Sequence, residues 1–217
     1  MAEMTLCMGN KNYSSWSMRA WLALRQCGAS FEEQVFDLAA PGVREAIRGQ
    51  SPTGRVPVLY DGDLIIWDSL AIIEYAAERF PQAGLWPEDA AARAVARSVS
   101  AEMHSGFSSL RRHMPMNVRR SSPGKGWAEG VLEDIERITS IWRSCRSEYG
   151  GAGDYLFGPW SAADCMYAPV ASRFATYGVE LGETERAYSS AVFRHPFVEE
   201  WRAAAEAEPM VNPAYDL

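Results

Sequence analysis

The chain has 217 residues, of which 47% are hydrophobic and 23% are charged. This profile is typical of an ordinary globular protein rather than a disordered or fibrous one, and the length allows one large domain or two small ones. The net charge of -7 argues against nucleic acid or an anionic membrane as partner, because binding by counterion release needs clustered lysine and arginine.

Cysteine usage and the N-terminal residues indicate the compartment. The four cysteines lie far apart in apolar stretches, without the spacing of a zinc site or a redox pair. We therefore predict reduced core cysteines and no metal. The opening MAEMTLCMGN has no basic region and no long apolar segment, and no run of about 18 apolar residues occurs. A soluble, cytoplasmic protein is the expectation.

The chain begins with a predicted βαβ unit. Residues 5–9 form a short apolar strand, and apolar residues then recur at helical spacing up to Gly28, which suits the left-handed position after a helix. Residues 30–38 form a second strand. Such a unit has parallel strands joined by a right-handed crossover. A short helix is predicted next, at residues 41–50.

A β-hairpin is the strongest local signal of the chain. Residues 56–67 contain two apolar runs divided by an Asp-Gly pair. The following helix, at residues 68–80, begins with an Asp-Ser pair that suits an N-cap. The first part of the chain therefore has the predicted order β-α-β-α-β-β-α, and we place this domain at residues 1–80.

The remainder predicts an all-helical domain. Prolines and a glycine indicate a linker at residues 81–92, and the second domain occupies residues 93–217. Ser161 and Asp164 form a capping box inside it, which we assign to stability rather than to chemistry. The predicted helices lie at about 89–113, 126–148, 161–177 and 186–207.

Four local matches occur on this architecture: SSWSMR at the first helix, SPTGRVPVL around Pro57, the Asp-Ser pair at 68–69, and WSAAD at 160–164. Together they resemble the cytosolic glutathione S-transferase family over nearly the whole chain. The segments NKNYSSWS and EMHSGF are similar to a bacterial subgroup of that family. The resemblance implies an α+β thioredoxin-like N-terminal domain, an all-α helical-bundle domain and a homodimer. It also implies that glutathione is the co-substrate and that no other cofactor is needed.

Ser14 and Ser15 are the predicted catalytic residues, because the resemblance places the glutathione sulfur beside the start of the first helix. An unperturbed thiol has a pKa of about 8.5, and lowering it by about two units needs roughly 2.7 kcal/mol. A donated hydroxyl and a helix N-terminus can supply that energy. The zeta-like Ser-Ser-x-Ser register selects Ser14, whereas counting back from Arg19, as in the delta and theta classes, selects Ser15. Simple helix capping is the structural alternative.

The resemblance assigns five further residues to glutathione. Val56 and Pro57 match a cis-proline that turns backbone toward the cysteinyl part, and Asp68 with Ser69 matches the acidic-Ser pair that holds the γ-glutamyl end. Family members often have Glu at the position of Asp68, which predicts a looser contact here. Arg55 is a candidate for the glycine carboxylate. From the residues alone, Pro57 would open an edge strand, the pair would cap a helix, and Arg55 would face solvent.

The segment at residues 101–120 is unusually basic for an acidic protein. Within it His104, Phe107 and Arg111 recur at three- and four-residue spacing, so they could share one helix face. With Trp16 they are the candidate residues of the electrophile site, where cationic and aromatic groups would suit a small, partly apolar anion. The alternative is a solvated basic face beside a core Phe.

The predicted function is glutathione transfer to a small electrophile, a detoxification reaction in which a serine stabilises the attacking thiolate. One alternative is a zeta-like glutathione-dependent cis-trans isomerase, whose dicarboxylate substrate the arginines would suit, although Trp16 stands where the zeta pattern has Cys. Another is a non-catalytic binding or scaffold protein on the same fold. A reductase is rejected, because it needs a cysteine at the helix start to form a mixed disulfide.

Overall fold

A computed structural model of the chain describes residues 4–215. The extreme ends of the two predicted domains, residues 1–3 and 216–217, lie outside this range. The N-terminal part has the predicted order, confirming the fold class: β1 (Met4–Gly9), α1 (Ser15–Gln26), β2 (Phe31–Phe36), α2 (Val43–Arg48), β3 (Val58–Asp61), β4 (Leu64–Trp67) and α3 (Ser69–Arg79). The helical part comprises α4 (Ala90–Ser105), α5 (Ser108–His113), α6 (Val131–Tyr149), α7 (Ala162–Tyr177), α8 (Glu183–Arg194) and α9 (Pro196–Ala207).

The four strands form one mixed sheet in the order β2-β1-β3-β4. β1 pairs with β2 in parallel and with β3 in antiparallel register. The predicted hairpin is β3 and β4, in which Asp61 pairs with Leu64. α1 connects the parallel strands β1 and β2, so its N-terminus follows the carboxyl end of β1. Ser14 and Ser15 therefore lie at the carboxyl end of this inner strand.

α7 connects the two halves of the molecule. It is buried along almost its whole length and packs on both α1 and α4. The predicted capping box at its start is present: the Asp164 carboxylate accepts from the backbone N–H and the hydroxyl of Ser161, both at 2.8 Å. The same buried carboxylate accepts from the Leu156 N–H and the Tyr188 hydroxyl, each at 3.1 Å. The box therefore also joins α7 to the preceding loop and to α8.

Two of the predicted helices are divided, so those predictions were wrong. The stretch at 89–113 breaks at Gly106 and Phe107, where Phe107 adopts the left-handed region with φ of 58°. The stretch at 186–207 ends α8 before His195 and restarts at Pro196, because proline lacks an N–H and suits the first turn of a new helix. The first break separates His104, on α4, from Arg111, on α5.

Three composition-based expectations can be compared with the described residues. All four cysteines are buried, as predicted: Cys7, Cys27, Cys145 and Cys165. Within residues 4–215 no three His, Cys, Asp or Glu side chains are grouped as a metal site would require. Over the same range, every helix is too short or too polar to cross a bilayer.

Candidate active site

Two adjoining cavities open at the start of α1. The serine cavity, of about 350 Å³, contains Ser14, Ser15 and Arg173 in its wall. The α3 cavity, of about 400 Å³, lies at the N-terminus of α3. Both volumes are within the range of small-molecule sites. Half-buried Trp16 and Val56 line both cavities, so one extended ligand can occupy the two together.

Ser14 is the N-cap of α1, and its hydroxyl is used inside the protein. Ser14 Oγ donates to Ser17 Oγ at 2.7 Å and accepts from the Ser17 N–H at 3.4 Å. Ser17 Oγ in turn accepts from the N–H of Gly9, at the end of β1, at 3.0 Å. This chain fixes the start of α1 against the sheet, and it directs the Ser14 proton away from the serine cavity.

Ser15 has a different environment, although it is equally buried. Its Oγ accepts a hydrogen bond of 3.1 Å from the Nη2 of Arg173 on α7. Arg173 is held by a second bond, from its Nε to the Met114 carbonyl at 2.9 Å. The Ser15 hydroxyl proton has no acceptor among the described residues. A hydroxyl that accepts from a guanidinium and keeps its proton is suited to donate to an anion in the cavity.

The α3 cavity brings together the residues predicted to bind the γ-glutamyl end. Asp68 caps α3 by accepting from the Leu70 N–H at 2.9 Å, and it has a positive φ of 77°. Ser69 is fully buried, and its Oγ has no hydrogen-bond partner among the described residues. The peptide bond between Val56 and Pro57 is cis, as predicted, and both residues line this cavity.

His104 and Arg55 lie at the margins of the site. His104 was predicted on the electrophile side, but its Nε2 lies 3.2 Å from Asp68 Oδ2 and it lines the α3 cavity. It also packs edge-on against Trp16, with ring centroids 5.1 Å apart. Arg55 is exposed, lines both cavities, and has no side-chain partner within residues 4–215.

Phe107 does not join the site. It is 7% exposed and belongs to the hydrophobic core, and neither cavity contains it. The structural alternative, a core Phe, therefore holds for this residue. The helix break at Phe107 removes the shared face that the spacing suggested.

Arg119, in the same basic segment, binds the C-terminal tail. Arg119 donates to the carbonyls of Glu208 and Met210, at 2.6 and 2.7 Å. Through these bonds the segment holds the tail beside the site, and Tyr215 lines the serine cavity. Sequence reasoning missed this role, because backbone carbonyls leave no signal in a residue pattern.

Three arginines surround the start of α1. Arg173 and Arg111 line the serine cavity, and Arg19 lies fully buried beneath Trp16, with its guanidinium carbon 4.5 Å from the ring centroid. Burial, reinforced by Arg173 and Arg111, lowers the pKa of Arg19 to about 9. Burial and the nearby Arg111 lower the pKa of Arg173 to about 10. Arg173 was missed from the sequence because 158 positions separate it from Ser15.

The fold and the site define a thioredoxin-like domain joined to a helical domain, with polar cavities at the start of its first helix. Residues 13–79 match the family model described as "Glutathione S-transferase, N-terminal domain". The chain is 29% identical over 178 residues to Glutathione S-transferase 1 of Dianthus caryophyllus, covering 78% of each chain. It is 27% identical over 164 residues to a probable maleylacetoacetate isomerase of Caenorhabditis elegans, covering 74% of this chain and 75% of that one.

A solved structure agrees with these matches. The structure of a glutathione transferase homolog from Burkholderia GL BGR1, with bound glutathione, superposes with a TM-score of 0.72 and 25% identity. The match covers 95% of this chain and 100% of that one. In sequence and in fold the chain is therefore similar to glutathione S-transferases, as its local motifs predict.

Proposed function

We propose that this protein is a glutathione transferase in which Ser15 stabilises the thiolate. Glutathione binds across both cavities, with its γ-glutamyl end at Asp68 and Ser69 and its sulfur beside Ser15. The thiol proton leaves to solvent and the Ser15 hydroxyl donates to the sulfur anion. The sulfur then forms a bond to the electrophilic carbon, whose leaving group departs with the bonding electron pair.

The observation that carries this proposal is the unpartnered hydroxyl of Ser69. A buried hydroxyl without a hydrogen bond costs stability, so one that lines a cavity favours a ligand that can bond to it there. This one lies at the N-terminus of α3, where backbone N–H groups and the helix dipole favour an anion. The γ-glutamyl carboxylate fits the hydroxyl and the helix N-terminus, and its ammonium group fits Asp68.

Ser69→Ala tests this assignment. Removing a hydrogen bond to a carboxylate costs about 1.5 to 3 kcal/mol, so glutathione should bind roughly 10- to 150-fold more weakly by calorimetry. Ser100→Ala is the matched control, because Ser100 Oγ on α4 is also buried, has no partner among the described residues and lies outside both cavities. If Ser69→Ala binds glutathione as tightly as Ser100→Ala does, the assignment of Ser69 is refuted.

The second substrate is proposed to carry a negative charge. The serine cavity is lined by Arg55, Arg111 and Arg173 and, among the described residues, by no carboxylate. Arginine favours carboxylates through paired hydrogen bonds. An anionic electrophile should therefore react with a lower KM than a neutral analogue of equal reactivity, and Arg111→Gln should reduce that preference.

The same arginines favour a second candidate function, glutathione-dependent isomerisation of a cis-alkene diacid. One relative is named as a probable maleylacetoacetate isomerase. In that reaction the sulfur adds to the alkene carbon, the new single bond rotates, and elimination restores the double bond and the thiolate. Turnover of such a diacid, with no consumption of glutathione, would favour this function over transfer.

We also propose a homodimer. β4 is an edge strand of the sheet, and Leu64, Ile65 and Trp67 on it are exposed by 49%, 38% and 45%. Exposed apolar edges are uncommon in monomers. Light scattering should give twice the chain mass, and Leu64→Glu should give a monomer. Val211→Glu, at a residue 57% exposed on the tail, should leave the dimer intact.

A further inference from the structure

The arginines at the start of α1 form a positive cluster without a paired carboxylate among the described residues. Arg19, Arg111 and Arg173 form no ion pair with a carboxylate within residues 4–215. None of the three guanidinium nitrogens of Arg19 has a hydrogen-bond partner there, and Arg173 Nη1 also lacks one. Burying unpaired charges is costly, so the cluster indicates an anion that arrives with the substrate.

One arginine of this cluster, Arg173, is hydrogen-bonded to the Ser15 hydroxyl. Arg173 is 3% exposed, and Nη2 is the atom that donates to Ser15 Oγ. Its Nε bond to the Met114 carbonyl fixes the guanidinium plane. Since a guanidinium cannot accept a hydrogen bond, the Ser15 proton is left to point elsewhere. Ser15 lines the serine cavity, so its proton can point into that cavity.

We propose that Arg173 is a positioning residue for thiol activation: it orients the Ser15 hydroxyl toward the glutathione sulfur and supplies the positive charge that stabilises the thiolate. This inference rests on the proposed function. An opposite charge about 4 to 6 Å from a titrating group lowers an acidic pKa by about one to three units. In the proposed complex Arg173 lies at about this distance from the sulfur, because the Ser15 hydroxyl lies between the guanidinium and the sulfur. Arg19 and Arg111 add to the same positive field.

Arg173→Gln and Arg173→Lys test the inference in the presence of glutathione. The bound thiolate is followed by its ultraviolet absorbance as pH rises, while calorimetry at acidic pH measures the affinity for the protonated thiol. The pKa of the bound thiol should rise by about one unit or more in Arg173→Gln and by less in Arg173→Lys, which retains the charge. Affinity at acidic pH should change little. Arg112→Gln, which removes an exposed charge from the same segment, should leave the titration unchanged.

The double variant Ser15→Ala with Arg173→Gln distinguishes two effects of Arg173 on the thiol pKa. One acts through the orientation of the Ser15 hydroxyl, and the other is the direct effect of the positive charge on the sulfur. If Arg173 acts through Ser15, the rise in the thiol pKa in the double variant is smaller than the sum of the two single rises. A simple sum overturns the orienting role. A folded Arg173 variant that binds glutathione with the wild-type thiol pKa overturns the inference as a whole and leaves the proposed function standing. Failure of the wild-type protein to bind glutathione would instead refute the proposed function.

Discussion

Ser15→Ala is expected to lower kcat/KM for glutathione transfer by about 100-fold, because a hydrogen bond to a charged sulfur contributes about 1.5 to 3 kcal/mol. The Ser15 hydroxyl lines the serine cavity and its proton has no acceptor among the described residues. Without it the bound thiol should have a higher pKa. At saturating glutathione, the acidic limb of the kcat/KM profile for the electrophile should therefore move to higher pH, and the pH dependence of initial rates measures this movement.

Ser14→Ala is the matched control for Ser15→Ala. Ser14 Oγ is bonded to Ser17 and caps α1, so its loss should cost about 1 kcal/mol of stability while most activity remains. The two variants thus decide between the two registers that the sequence left open. If Ser14→Ala abolishes activity and Ser15→Ala does not, the zeta-like register is correct and the activating role of Ser15 is refuted.

Asp164→Ala is expected to have the largest effect on stability, lowering the free energy of unfolding by about 4 kcal/mol. The carboxylate is fully buried and accepts four hydrogen bonds, from Ser161 N–H and Oγ, Leu156 N–H and Tyr188 hydroxyl. Alanine would leave these donors unsatisfied in the core. Chemical denaturation followed by circular dichroism measures the loss.

Asp89→Ala is the comparison for Asp164→Ala. Asp89 also caps a helix, α4, but it is exposed and accepts one bond, from the Ala92 N–H at 2.8 Å. Its removal should cost about 1 kcal/mol, as for an ordinary N-cap. Equal losses in the two variants would mean that the capping box contributes no more than a surface cap. That outcome would refute the view that it joins α7 to its neighbours.

Local patterns predicted most of the fold. The Asp-Gly turn predicted the hairpin of β3 and β4, and the spacing of Ser161 and Asp164 predicted the capping box. Each signal acts over a few residues, where backbone preferences and hydrogen-bond geometry are decided by neighbours in the chain. The helix breaks at Phe107 and His195 were missed, since apolar periodicity continues across them.

The candidate site was predictable only in part. Ser14, Ser15, Asp68 and Ser69 lie at helix starts, where capping residues and anion-binding backbone groups leave a pattern in the sequence. The family resemblance added Val56 and Pro57. Phe107 was assigned wrongly, because a helix face was inferred where the helix in fact ends.

The sequence by itself determined the order of elements in the N-terminal part, the capping box of Ser161 and Asp164, and the set of hydroxyl and acidic residues near the predicted glutathione site. Only the tertiary structure decided which serine hydroxyl keeps its proton without an acceptor among the described residues. The Ser14 hydroxyl donates to Ser17, whereas the Ser15 hydroxyl accepts from Arg173 on α7. The physical reason is the separation along the chain of the residues that interact. A cap depends on residues a few positions apart, whereas a buried charge acts through space between segments that packing alone brings together.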